Sequence, residues 1–227
     1  MKVVIKDSSL DVAQWAANHI VEAIRRKATR TDAPFVLGLS TGSTPLATYN
    51  VLIEKYRAGE VSFRNVVTFN MDEYVGLAED HPESYHSFMW NNFFKHIDIL
   101  PENVHIPDGT VRQSDISEYC AKYEKSIRKI DLMIIGVGEE GQVGFNEAGS
   151  YVKSPTRLVE LSHNSRKVQA DQFYGLENTP KMAITMGLGT IMRADRIILM
   201  AWGEEKASVV HRIVAGEITD LLPASHL

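Results

Sequence analysis

The sequence predicts an α/β fold: a Rossmann-like three-layer sandwich, with a mostly parallel central sheet and helices on both faces. Three observations predict it. Short apolar runs such as Phe35–Leu39 alternate along the chain with longer segments of helical period. That alternation is the signature of strands joined by crossover helices. No internal repeat, low-complexity tract or linker rich in Gly, Pro or Ser breaks the chain. Its 227 residues, 44% of them hydrophobic, suffice for one large domain with a substantial core. Residues 1–227 are therefore read as a single domain.

The elements follow in order. Residues 3–5 form a short strand candidate. Residues 10–26 carry apolar side chains at Ala13, Ala16, Ala17, Ile20 and Ile24, a helical stripe, and Ser8 with Asp11 offers an N-terminal cap. Strand Phe35–Leu39 leads through the turn-rich STGSTP into a helix over residues 45–58. Residues 65–69 read as a strand, 84–96 and 115–128 as helices, and 132–137 as a buried strand. Residues 157–161 read as a strand and 162–173 as a helix. Met182–Thr185 and residues 196–200 are strands, and 204–214 is helical. Trp15, Trp90 and Trp202 lie in apolar stretches and read as packing residues.

Composition removes several function classes. A formal net charge of −5 leaves no basic field to hold a nucleic-acid backbone. Cys120 is the one cysteine, so no intrachain disulfide forms, as suits a reducing cytosol. With no paired His–carboxylate spacing either, no metal site is expected, and no cofactor. No apolar stretch reaches the ~18 residues of a membrane helix, and MKVVIKDSSL holds too short an apolar run for a signal peptide. The expectation is a cytoplasmic protein with a small-molecule partner and neither nucleic acid nor membrane. Its oligomeric state stays open, a homo-oligomer included.

In parallel α/β sheets, ligands sit outside the carboxyl ends of the strands. Three loops fall there. The first holds Thr41, Gly42, Ser43 and Thr44 ahead of Pro45. Free amides at a helix start and three hydroxyls suit a phosphate, although the spacing matches neither a Walker A loop nor a dinucleotide fingerprint. A capped helix start explains the same residues. The second loop places Asp72 and Glu73 at the end of a buried strand. A partly buried carboxylate there can take a proton next to a carbonyl, or it can simply cap a helix or sit in a surface turn. The third is GVGEEGQVGFNEAGS, residues 136–150. Glu139, Glu140 and Glu147 are possible acids, bases or orienting groups. Gln142 and Asn146 can bond hydroxyls but carry no proton in catalysis. A strand-to-helix turn with solvated glutamates is the competing reading.

Taken together, LGLSTGSTP, VVTFNMDEYVGL, HPESYHSFM, GVGEEGQVGFNEAGS, SPTRLVEL, PKMAITMGLGTIM and AWGEEKA resemble the glucosamine-6-phosphate deaminase family. The segments run in family order over nearly the whole chain. The superfamily includes 6-phosphogluconolactonases, but FNMDEYVGL and GFNE resemble the deaminase branch. The resemblance implies conversion of glucosamine 6-phosphate and water to fructose 6-phosphate and ammonia. It implies ring opening, proton transfer from C2 through an enediol-type intermediate, and loss of the amine. It further implies Asp72 as the C2 base, Thr41, Gly42, Ser43 and Thr44 as the phosphate loop, and Lys206 as a phosphate-contacting cation. Tyr85 falls near the substrate loop.

Three departures stand out. Where the family reads GxGxDGHIxFNE, this chain has Glu140 for the aspartate and Gln142 for the ring-opening histidine, while Glu147 is retained. Glutamine holds a sugar oxygen but shuttles no proton. The work then falls to Glu140 or to one of His81, His86 and His163, or else the reaction is impaired. Second, an ungapped count puts Asp171 where the family has a phosphate-closing arginine, so either Arg166 or Lys167 shifts in or the substrate differs. Third, the chain stops at PASHL, where relatives continue into a further strand and helix. Arg157 matches a residue used in allosteric relatives, but Val159 and Glu160 supply no cationic donor, so no such activation is expected. The enzyme reading is set against two others: a sugar-phosphate binder or sensor that lost the relay, and a lactone hydrolase.

Overall fold

A computed structural model describes all 227 residues. Ser8 is extended, and its side chain accepts the Asp11 N–H at 3.1 Å to start α1 (Ser9–Ala28). Arg25, Arg26 and Lys27 in the last turn complement the helix dipole. The predicted stripe of α1 is buried. The chain continues through β1 (Phe35–Leu39), α2 (Ser43–Arg57) and β2 (Val66–Asn70), and then β3 (Asp72–Tyr74), α3 (Tyr85–Asn92) and β4 (Val104–His105). Next come α4 (Ile116–Ser126), β5 (Leu132–Gly136), β6 (Arg157–Glu160) and α5 (His163–Gln169). The last elements are β7 (Met182–Thr185), α6 (Leu188–Ile191), β8 (Ile197–Met200) and α7 (Ala207–Ala215).

Five parallel strands form the central sheet in the order β4-β2-β1-β5-β8. Alternate residues of β5 go to opposite faces. Leu132 and Ile134 pack with α1, α2 and α3, while Met133 and Ile135 pack with residues of α4, α6 and α7. Helices therefore cover both faces, as expected of a parallel sheet. Asp131, just before β5, accepts the Val36 N–H at 2.7 Å and Lys27 Nζ at 2.7 Å. That pins α1, β1 and β5 together at the end opposite the loops.

The structure departs from the sequence-based expectations at five places. Residues 3–5 are not a strand: they pair with nothing, and Val3 and Ile5 are exposed. A three-residue run between lysines has too little apolar surface to hold itself against a sheet. The helix read over 162–173 ends at Gln169, and that over 204–214 begins with a 3₁₀ turn at Glu204–Lys206. The surface-turn alternative for Asp72 and Glu73 does not hold, because Asp72–Tyr74 form a buried strand of their own. Finally, β6 and β7 do not join the parallel sheet. With β3 they form a separate antiparallel sheet, β3-β7-β6. Met71 joins the two sheets: its N–H donates to Leu39 O at 2.9 Å and its carbonyl accepts Met186 N–H at 2.8 Å. Asp72 follows directly and is held between them. No helix is long and apolar enough to cross a membrane.

Candidate active site

At the carboxyl ends of β1, β2 and β5 lies a cavity of about 400 Å³. Its wall includes Thr41, Gly42, Ser43, Thr44, Asp72, Tyr85, Glu140, Gln142 and Lys206. The three loops thus meet as parallel α/β topology requires. No group of three or more His, Cys, Asp or Glu side chains is placed to hold a metal ion.

One end of the cavity suits an anion. Gly42 caps α2 with φ 110°, a conformation that side chains disfavour, and no side chain caps the first amides of the helix. No acidic residue lies in the first turn of this fifteen-residue helix, leaving its positive dipole end uncompensated. Lys206 reaches the same cavity from the turn before α7, and Glu139 Oε1 lies 4.0 Å from its Nζ. The expected phosphate arginine is not supplied by the α5 segment. Arg166 instead donates to Leu176 O at 2.7 Å, and neither Lys167 nor Asp171 lines the cavity. Asp171 therefore does not face this cavity, and Lys206 is the cation that lines it.

Asp72 and Glu73 are both buried and do different work. Glu73 accepts N–H bonds from Tyr74 at 2.8 Å, Tyr85 at 3.0 Å and His86 at 2.9 Å, which ties it to the start of α3. It is the helix cap that the sequence allowed. Burial pushes its carboxyl up to about 7, against the pull of those three donors. Asp72 is 5% exposed, lines the cavity, and accepts no hydrogen bond from the protein. Burial, with the Glu73 charge beside it, pushes its carboxyl up to about 8. A desolvated carboxyl without donors, facing a polar cavity, is built to take and return a proton near neutral pH.

The loop over residues 136–150 folds across Asp72. Gly144, at φ 56°, comes so close that a Cβ there would lie 2.5 Å from Met71 Sδ and 2.9 Å from Asp72 Oδ2. Gln142 Oε1 accepts the Glu140 N–H at 3.1 Å, so its carbonyl is committed to its own loop. Glu140 is exposed at the rim and accepts from Asn164 Nδ2 at 3.2 Å. Glu147 does not line the cavity. It accepts Ser162 N–H at 3.3 Å and the Ser165 hydroxyl. Asn146, a candidate hydroxyl ligand on sequence, is fully buried and bonds to Val143 O, Met186 O and Arg157 instead. His81, His86 and His163 do not line the cavity.

The small antiparallel sheet explains why this loop is held. Asp72, Thr185 and Arg157 are in register across β3, β7 and β6. They meet three successive loop residues. Asp72 touches Gly144, Thr185 Oγ1 accepts Phe145 N–H at 3.3 Å, and Arg157 Nη1 donates to Asn146 Oδ1 at 2.8 Å. Thr185→Val removes the acceptor and keeps the shape. It should lower kcat several-fold by loosening the loop and cost ~1–3 kcal/mol for the unpaired amide, measurable by kinetics and denaturant unfolding of the same preparation.

Sequence reasoning missed the face that α5 offers. Asn164, Ser165, Val168 and Gln169 all line the cavity. Ser162, at the cap of that helix, accepts Ser165 N–H at 3.1 Å. A serine three residues past a cap reads as helix-start chemistry, so nothing local marked Ser165 as a wall residue.

Known proteins resemble this chain in sequence and fold. The family described as glucosamine-6-phosphate isomerases/6-phosphogluconolactonase matches residues 7–227. A glucosamine-6-phosphate deaminase from Aeromonas hydrophila subsp. hydrophila is 47% identical over 232 residues, covering 100% of this chain and 86% of that protein. One from Thermoanaerobacter sp. is 45% identical over 230 residues, covering 100% and 88%. The solved structure of a monomeric glucosamine-6-phosphate deaminase superposes with a TM-score of 0.93 at 38% identity, covering 99% of this chain and 92% of that one. A 6-phosphogluconolactonase from Trypanosoma cruzi shares the fold, with a TM-score of 0.78 at 22% identity over 99% and 89% of the two chains. With the match spanning nearly its whole length, the chain belongs to the glucosamine-6-phosphate isomerase/6-phosphogluconolactonase family.

Proposed function

We propose that this protein is a cytoplasmic glucosamine-6-phosphate deaminase, converting glucosamine 6-phosphate and water to fructose 6-phosphate and ammonia. The relatives at 45–47% identity carry that name. The single observation that carries the reading is Asp72: a buried carboxyl without donors, facing a cavity that Lys206 and the start of α2 also line.

The roles follow from position. Thr41, Gly42, Ser43, Thr44 and Lys206 hold the phosphate, and Tyr85 borders the sugar. Once the ring has opened, C1 is an aldehyde and the C2 hydrogen is acidic. Asp72 takes that proton, leaving an enolamine, and a proton added at C1 gives the C2 imine. Water adds to C2 and ammonia leaves, so atoms balance without oxidant or reductant. Gln142 orients a hydroxyl through its amide NH₂ group and moves no proton. Glu140 and Glu147 are the carboxylates that the family motif implies for ring opening, although only Glu140 lines the cavity.

The test is release of ammonia and fructose 6-phosphate from glucosamine 6-phosphate. Ligand-induced thermal stabilisation without turnover would replace this reading by that of a sugar-phosphate binder, which the missing histidine at Gln142 favours. Lys206→Gln is expected to raise KM about 10–100-fold with kcat little changed, the scale of one charge-assisted contact. A KM within two-fold of native would remove Lys206 from the phosphate site.

A further inference from the structure

A hexosamine phosphate ring opens when a proton leaves the C1 hydroxyl and a proton reaches the ring oxygen. The cavity holds no histidine for this transfer. Gln142 has its carbonyl bound to its own loop, and Glu140 sits at the exposed rim. Glu147 is half-buried behind the wall and does not touch the cavity. Ser165 touches both: its hydroxyl donates to Glu147 Oε1, and the residue lines the cavity on α5, across from the loop that carries Gln142.

We infer that Ser165 and Glu147 form the ring-opening relay of this enzyme, the serine hydroxyl carrying protons between the sugar and the half-buried carboxylate. This rests on the deaminase reading. In the step, the C1 hydroxyl gives its proton to Ser165 Oγ as Ser165 passes its own to Glu147. The proton then returns through the same hydroxyl to the ring oxygen. The bond between C1 and the ring oxygen breaks, the C1 carbonyl forms, and both protein groups regain their starting state. Glu147 supplies the basicity that a serine lacks, and Ser165 supplies the reach that Glu147 lacks. The Ser162 N–H, 3.3 Å from the same oxygen, keeps Glu147 aimed at α5.

A purely structural reading exists: Glu147 satisfies the start of α5, and Ser165 merely joins that cap. The two readings separate in kinetics. Ser165→Ala, Ser165→Thr and the native enzyme are compared for kcat on glucosamine 6-phosphate. Their affinities for 2-amino-2-deoxyglucitol 6-phosphate, an open-chain analogue that needs no ring opening, are measured in parallel. The relay predicts that Ser165→Ala lowers kcat about 10²-fold, the lower range for loss of acid–base help. Analogue affinity stays within two-fold, and Ser165→Thr restores most of kcat. A kcat within three-fold of native in Ser165→Ala, or a fall matched by equal loss of analogue affinity, overturns the relay. Native enzyme that releases no ammonia overturns the deaminase reading itself, which this comparison detects separately.

Discussion

Asp72→Asn should abolish turnover and at the same time make the protein more stable. The first effect is expected because an amide cannot accept the C2 proton; a fall of about 10⁴-fold in kcat is the upper end of the scale for removing an acid–base group. The second follows from burial. The Asp72 carboxyl is held near 8 in the folded protein, above its ordinary value of 3.8. Between those two values the folded state binds the proton that the unfolded state has lost. Stability from this group is therefore fully present below about pH 4 and declines as pH rises toward 8. Asparagine has no charge to desolvate, so the variant should gain on the order of a few kcal/mol at pH 8 and progressively less toward pH 5. Thermal melts across that range check it. A destabilised variant at pH 8 would mean that the carboxylate has a partner in solution that the structure does not show. The native enzyme should also show kcat/KM rising with pH up to about 8, as Asp72 gives up its proton. The limb in kcat should lie lower, because the substrate ammonium favours the charged carboxylate in the complex.

Gly144→Ala is the second large effect, and it separates the loop from the phosphate cradle. The residue sits at φ 56°, and its Cβ would lie 2.5 Å from Met71 Sδ, 2.9 Å from Asp72 Oδ2 and 3.0 Å from Thr185 Oγ1. The left-handed backbone costs alanine about 1–2 kcal/mol, and the overlap with a packed wall adds about 1–3 kcal/mol. The loop must lift from Asp72 to relieve it. Turnover should fall more than 100-fold, since small misplacements of reacting groups have effects of that order. Binding of inorganic phosphate should change little, because Thr41, Gly42, Ser43 and Thr44 belong to a different loop. Equal losses in phosphate affinity and turnover would show that the whole cavity, not the loop alone, had collapsed.

How far the sequence was legible depended on how local each feature is. The strands β1 and β7 have their predicted bounds, because each is a short, mainly apolar run with turn residues close by. The stripe and cap of α1 are local and were read directly. The strand β3 was not, because DEY shows no apolar alternation; it exists through pairing with β7, more than a hundred residues away. The antiparallel sheet was hidden for the same reason, since a run such as Met182–Thr185 looks alike in either kind of sheet.

The candidate site divides along similar lines. Asp72, Gln142, Lys206 and residues 41–44 line one cavity, as loops at the carboxyl ends of parallel strands should. Side-chain direction was beyond motif reading. Asn146 turns into the protein to meet Arg157, Glu147 turns to α5, and Arg166 turns to the backbone at Leu176. Each choice is made by a partner remote in sequence. Asp171, placed at the phosphate by ungapped counting, lies away from the cavity because the helix before it ends early.

The most direct measurement follows the C2 hydrogen. Glucosamine 6-phosphate labelled with deuterium at C2 is incubated with native enzyme and with Asp72→Asn. Native enzyme should lose label from C2 in step with ammonia release, and the variant should show neither event. Loss of label or ammonia at the native rate from Asp72→Asn would contradict this and assign the base elsewhere.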